Sequence, residues 1–205
     1  MLDYLINTLE LKLMTCTIQD VQEKIIMADM PLLIQDKIAK YKHEEDRLQR
    51  LAGYFLLQEM ITSYQLQHQL NLSHLQLQAN HKPYFHYPFH FSIAHAKERI
   101  VCLASTKHLV GIDLEYIRAI DTNLLADYLT VEEQQFIQNS SQASRDFLSL
   151  WTKKEAIAKA SGLGVLCPFQ EINALQNEIY FQEKKYTLQE ITKDNYLISY
   201  AVLAS

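Results

Sequence analysis

Glycine, cysteine and proline are all scarce in this chain of 205 residues, which holds four, three and four of them. The cysteines, Cys16, Cys102 and Cys167, are odd in number, far apart and free of any Cys-x-x-Cys pattern. That excludes a disulfide scaffold and a thiolate zinc site. Each sits among apolar neighbours and reads as a small buried hydrophobe. No apolar run reaches the roughly 18 residues that span a bilayer, so no membrane association is expected. The opening stretch carries Asp3 and Glu10 and lacks a basic start followed by an apolar core, so it does not read as a secretory signal. A soluble protein of the reducing cytoplasm is the expectation. Positive charge is short as well. Lys plus Arg number 19 against 24 Asp plus Glu, a net charge of −5. A protein that coats nucleic acid through overall charge is thereby excluded, while one local basic pocket for a phosphate ligand is not.

What is present is ordinary globular composition, 48% hydrophobic and 21% charged. The length suits one to two domains and a core that needs no covalent staple. Leu9, Leu11 and Leu13 alternate with Glu10 and Lys12, the pattern of a half-buried strand. From Glu44 to Leu66 apolar residues recur at helical spacing, which predicts a long amphipathic helix. Strands are expected at 89–93, 100–104 and 110–114, and three more near 179–182, 186–191 and 196–203. Thr130-Val-Glu-Glu133 is a capping box opening a helix. A second long amphipathic helix is predicted over 144–160, ended by Gly162 and Gly164. Each half of the chain thus holds strands around one long helix, with a boundary near 105–110.

Two segments carry chemistry. In Gly111-Ile-Asp-Leu-Glu115, strand alternation puts Asp113 and Glu115 on one face, with Ile112 and Leu114 on the other. Paired carboxylates repel unless a cation sits between them, and hard oxygen donors suit Mg²⁺. In Trp151-Thr-Lys-Lys-Glu155-Ala-Ile-Ala-Lys159, helical spacing aligns Trp151, Glu155 and Lys159 on one stripe. The stripe adds a third carboxylate and a cation for a phosphate. Taken singly, each pattern also reads as a solvated strand face or a surface Glu–Lys pair.

Together, in this order and spacing, the two segments resemble the paired signature of the 4′-phosphopantetheinyl transferases of the larger Sfp type. Lys82-Pro83, Phe91-Ser-Ile-Ala-His95, Glu45-Asp46, Gly53 and Leu129-Thr-Val-Glu-Glu133 extend the resemblance over roughly residues 35–165. It implies an α+β fold of two similar α/β halves related by a pseudo-two-fold. Each half is a small, mainly antiparallel sheet packed on one long helix. Residues 1–108 would form the coenzyme A pocket and 109–205 would carry the metal and catalytic motifs. The implied activity moves the phosphopantetheine arm of coenzyme A onto a serine of an apo carrier protein and releases 3′,5′-ADP. By position, Asp113, Glu115 and Glu155 would hold Mg²⁺, with Mn²⁺ as a substitute. Glu155, directly or through a metal-bound water, would take the serine proton, and Lys159 would steady the leaving phosphate. Lys82, His95 and Lys37 match residues around the 3′-phosphate of coenzyme A. Arg47 and Arg50 lie close to a family arginine, although Gln49 occupies that place. Ala94, Ala96 and Ser92 depart from the family pattern of flanking serines and an asparagine. Coenzyme A and the carrier are the expected partners, with no nucleic acid, and a monomer is expected. A non-catalytic module that binds coenzyme A or a carrier remains the alternative, and a Mg²⁺-dependent phosphate-ester hydrolase a third reading.

Overall fold

The computed structural model describes residues 2–8, 10–21, 27, 30–78 and 82–204, without the side chains of 123–125. The chain divides into two compact units, Met1–Lys107 and His108–Ser205. The first holds strands β1 (Asp3–Asn7) and β2 (Leu11–Thr17), helices α1 (Ile18–Val21), α2 (Leu32–Ala39) and α3 (Glu44–Ser63), then β3 (Leu75–Leu77), β4 (Pro83–Phe85), β5 (His90–Ala96) and β6 (Arg99–Ser105). Its main sheet is antiparallel with order β1-β2-β6-β5, and β3 and β4 form a separate two-stranded ladder. The alternation around Leu11 and Leu13 does form a strand, β2, whereas Leu9 lies outside the described residues. β1, α1 and α2 carry too short a pattern to be legible in the sequence.

The second unit holds β7 (Val110–Tyr116), α4 (Val131–Gln138), α5 (Ala143–Ser161), β8 (Glu178–Phe181), β9 (Lys184–Lys193) and β10 (Tyr196–Leu203). Its antiparallel sheet has order β7-β10-β9-β8. The two units share a core order. In each, a strand leads to a long helix, and the last strand inserts between that first strand and the penultimate one: β2-β6-β5 and β7-β10-β9.

The long helices form where periodicity placed them. α3 opens on Glu44, Glu45 and Asp46, which complement the helix dipole, and buries Leu51, Ala52, Leu56, Leu57, Met60 and Ile61 against the sheet. Gly53 allows close approach, since a Cβ there would stand 3.0 Å from Ile93 Cγ2 on β5. α5 ends on Gly162 at φ 81°, a left-handed cap that costs glycine nothing. Thr130 caps α4 as expected. Its Oγ1 accepts from the Glu133 amide at 3.2 Å, and the Glu133 carboxylate accepts from the Thr130 amide at 2.8 Å. All three cysteines are free and buried; burial lifts the Cys16 thiol to about 12 and the Cys167 thiol to about 11. Among the described residues no helix is long and apolar enough to cross a membrane.

Candidate active site

The acidic face of β7 packs against α5. α5 lies on it so closely that a Cβ on Gly111 would stand 2.0 Å from the Ala156 carbonyl oxygen and 2.4 Å from the Ala160 nitrogen. Gly111, Asp113 and Glu115 share this face by alternation. Ile112 and Leu114 are buried on the other. Asp113 thus meets α5, while Glu115 keeps part of its surface in solvent.

α5 answers with charge. Lys159 Nζ donates to Asp113 Oδ1 at 2.7 Å. Arg118, just past β7, holds Glu115 Oε2 at 2.7 Å. Glu155 is half-buried one turn before Lys159. Burial raises its pKa, and the fields of Asp113 and Glu115 raise it further against the pull of Lys159. Burial likewise raises the Asp113 pKa, with Lys159 opposing and Glu115 adding. The three carboxylates therefore feel one another across the strand–helix contact. Among the described residues no three acidic, His or Cys side chains converge into a ready-made metal cage. The donor chemistry of the three fits a hard divalent cation, which would relieve their repulsion and compete with Lys159 and Arg118 for the two carboxylates of β7.

Trp151, the third member of the stripe, packs rather than reacts. It stacks on Phe147 at 6.3 Å and meets Tyr128 and Phe169 at 5.4 and 5.3 Å between ring centroids. Thr152 and Ser199, both buried, join hydroxyls at 2.7 Å between α5 and β10.

The segment that holds this arrangement, residues 109–201, matches the model of the 4′-phosphopantetheinyl transferase superfamily. A holo-[acyl-carrier-protein] synthase from Campylobacter jejuni is 35% identical over 94 residues, 42% of this chain and 77% of that one. The chain belongs to the 4′-phosphopantetheinyl transferase superfamily. A 4′-phosphopantetheinyl transferase from Aneurinibacillus migulanus is 31% identical over 161 residues, 74% of this chain. The match spans 65% of that relative's length. A solved holo-[acyl-carrier-protein] synthase from Thermotoga maritima overlaps 48% of this chain and 64% of its own at 16% identity, with a TM-score of 0.38.

The basic residues expected around a phosphate stand in the first unit. Lys37, in the last turn of α2, is half-buried, and its pKa is lowered by burial and then by the charges of Arg50 and Lys40. Arg50 of α3 lies over the Tyr41 ring at 4.2 Å, and its buried Nε has no hydrogen-bond partner among the described residues. Lys37 and Arg50 thus form one positive cluster with a spare donor. Arg47 Nη1 donates to the Tyr41 and Lys42 carbonyls at 3.0 and 3.1 Å and so braces the loop before α3. Lys82 precedes β4, and burial lowers its pKa. His95 lies on β5, opposite Ile100 of β6.

Two features of this superfamily member escaped the sequence reading. Lys154 and Glu133 are both fully buried and paired at 2.7 Å. Lys154 Nζ also donates to the Phe169 carbonyl at 2.8 Å and to that of Ile172. Glu133 accepts in addition from the Ala174 amide at 2.7 Å. The cap of α4 is thereby also the counter-charge of a lysine in the core. The signal was there, since Lys154 falls on the helix stripe of Phe147, Leu150 and Ala158, all buried.

Gly111 is the other. Gly111→Ala must push backbone aside and is expected to cost at least about 1–3 kcal/mol. Gly53→Ala meets only the Ile93 side chain, which can turn, and should cost less. Thermal melts of the two variants side by side check this, and equal losses would count against the close strand–helix seat.

Proposed function

We propose that this protein transfers the 4′-phosphopantetheine arm of coenzyme A to a serine of an apo carrier protein and releases 3′,5′-ADP. The observation that carries this is the seating of Asp113, Glu115, Glu155 and Lys159 at one strand–helix contact inside the superfamily segment. Asp113, Glu115 and Glu155 would hold Mg²⁺ or Mn²⁺. Bound there, the ion would neutralise charge developing on the diphosphate.

The chain's own residues do the rest. Glu155 accepts the proton of the carrier serine at its carboxylate as the serine oxygen bonds to the proximal phosphorus. The bond from that phosphorus to the bridging oxygen breaks, and the electron pair leaves with 3′,5′-ADP. Lys159, held beside Asp113, offers its ammonium to the departing phosphate. In the first unit, Lys37 and Arg50, with Lys82 and His95, take the 3′-phosphate. Arg50 Nε supplies a donor that no group among the described residues uses. Arg47, whose Nη1 alone serves two carbonyls, stays in that set. The shared strand–helix–strand–strand core supports reading the two units as a duplicated half, the internal two-fold that the resemblance implies. A cytoplasmic monomer remains part of the proposal.

Intact-mass spectrometry tests it. A panel of apo carriers incubated with the protein, coenzyme A and Mg²⁺ should yield one that gains a phosphopantetheine mass. EDTA should abolish the gain, and restored Mg²⁺ should return it. Coenzyme A binding without transfer to any carrier would instead favour a binding module, the reading that Ala94 and Ala96 prompt. Phosphate release without a carrier would point to a hydrolase.

A further inference from the structure

We propose that Gln49 is a positioning residue that sets His95 against the basic residues of α3 and so governs recognition of the 3′-phosphate. The proposal rests on the coenzyme A reading above. Gln49 is buried and polar on α3, only 7% exposed. Its Nε2 donates to the Lys97 carbonyl at 2.7 Å, across 48 residues of sequence. Lys97 stands in the β5–β6 turn at φ 49°, left-handed backbone that a lysine adopts only when its surroundings hold it. The Ile18 amide holds the next carbonyl of the turn, that of Glu98, at 2.8 Å.

One helical turn further along α3 is the second point of contact. Gly53 lets the helix close on Ile93, where an added Cβ would meet Cγ2 at 3.0 Å. Residues 49 and 53 of α3 therefore bind positions 97 and 93 of the hairpin, with His95 midway between them. By strand alternation His95 projects from the same face as Ile93, the face that α3 covers. Arg50 is the residue after Gln49 and carries the unpartnered Nε. Gln49 and Gly53 thus fix the register of the helix that bears Arg50 on the strand that bears His95.

A glutamine suits this task. It donates to a carbonyl without adding a charge, and one of its two amide N–H groups is engaged by the turn. Loss of the bond would free the turn and let His95 drift, which weakens contacts to the 3′-phosphate alone.

The test compares coenzyme A with 3′-dephospho-coenzyme A by titration calorimetry on the full chain. Gln49→Met, similar in length but without a donor, should weaken coenzyme A roughly tenfold and leave the dephospho form unchanged. Gln49→Arg, which restores a donor, should return coenzyme A binding to the wild-type level. In a His95→Ala background, Gln49→Met should add little. Gln49→Leu, uncharged and without the amide donor, gives the same comparison if the methionine variant melts below assay temperature. Equal weakening of both ligands would overturn the proposal, as a merely structural role would. So would wild-type coenzyme A affinity in Gln49→Met, or tighter than wild-type binding by Gln49→Arg, which would make position 49 a direct phosphate contact. If the wild type binds both ligands equally, the 3′-phosphate pocket fails first and the proposal falls with it.

Discussion

Lys154→Ala is expected to destabilise the protein by about 3–5 kcal/mol, because it leaves a buried carboxylate without its counter-charge. Glu133 is 0% exposed, and two backbone amides already fill part of its acceptor capacity without supplying charge. The Phe169 and Ile172 carbonyls would lose their donor as well. The damage would spread through three elements, the start of α4, the middle of α5 and the segment from 169 to 174. Removing both charges together, with Glu133→Gln and Lys154→Met, should be milder than Lys154→Ala alone, since no lone charge then stays in the core. Urea unfolding of the single and double variants decides the matter. A single-variant loss below about 1 kcal/mol would show that the pair contributes no more than a surface ion pair does.

Glu155→Gln should behave in the opposite way. Transfer to a carrier is expected to fall by roughly 10²–10⁴-fold, the range for loss of a positioned general base. The fold should survive, and in metal-free solution the melting temperature should hold or rise. Glu155 is half-buried and repelled by Asp113 and Glu115, so an amide of the same shape removes a like-charge cost. Such a site holds charges the fold alone would not choose, a familiar trade between stability and activity. Asp113→Ala should also abolish transfer, since it removes one carboxylate and the Asp113 partner of Lys159. A carrier-labelling assay beside a thermal melt reads both quantities. Wild-type activity in either variant would remove the catalytic roles given to these side chains.

Much of this was legible along the chain, for a definite reason. Helix periodicity, strand alternation and capping are local, so 44–63 and 143–161 emerged as long helices with ends near those expected, and Thr130 as a cap. The stripe of Trp151, Glu155 and Lys159 follows from helical spacing alone. The short elements were not legible. β1 sets Tyr4, Leu5 and Ile6 in a row without alternation, α1 is a single turn, and α2 opens without a side-chain cap.

By itself, then, the sequence determined which residue types line up on which helix or strand, and through the paired motifs it determined the family. Tertiary structure alone decided how those faces meet. Only the fold shows that the acidic face of β7 receives α5, with Gly111 beneath Ala156 and Ala160. The sequence marked Asp113 and Lys159 separately, but their 2.7 Å contact joins residues 46 apart. Glu133 reads as a cap, and Lys154 has no role of its own, until the fold closes both off from water. Gln49 and Lys97, 48 residues apart, carry no local pattern at all. A period of 3.6 or 2 residues reports a side chain's direction within its own element, whereas its partner across the core is set by packing, which no local period encodes.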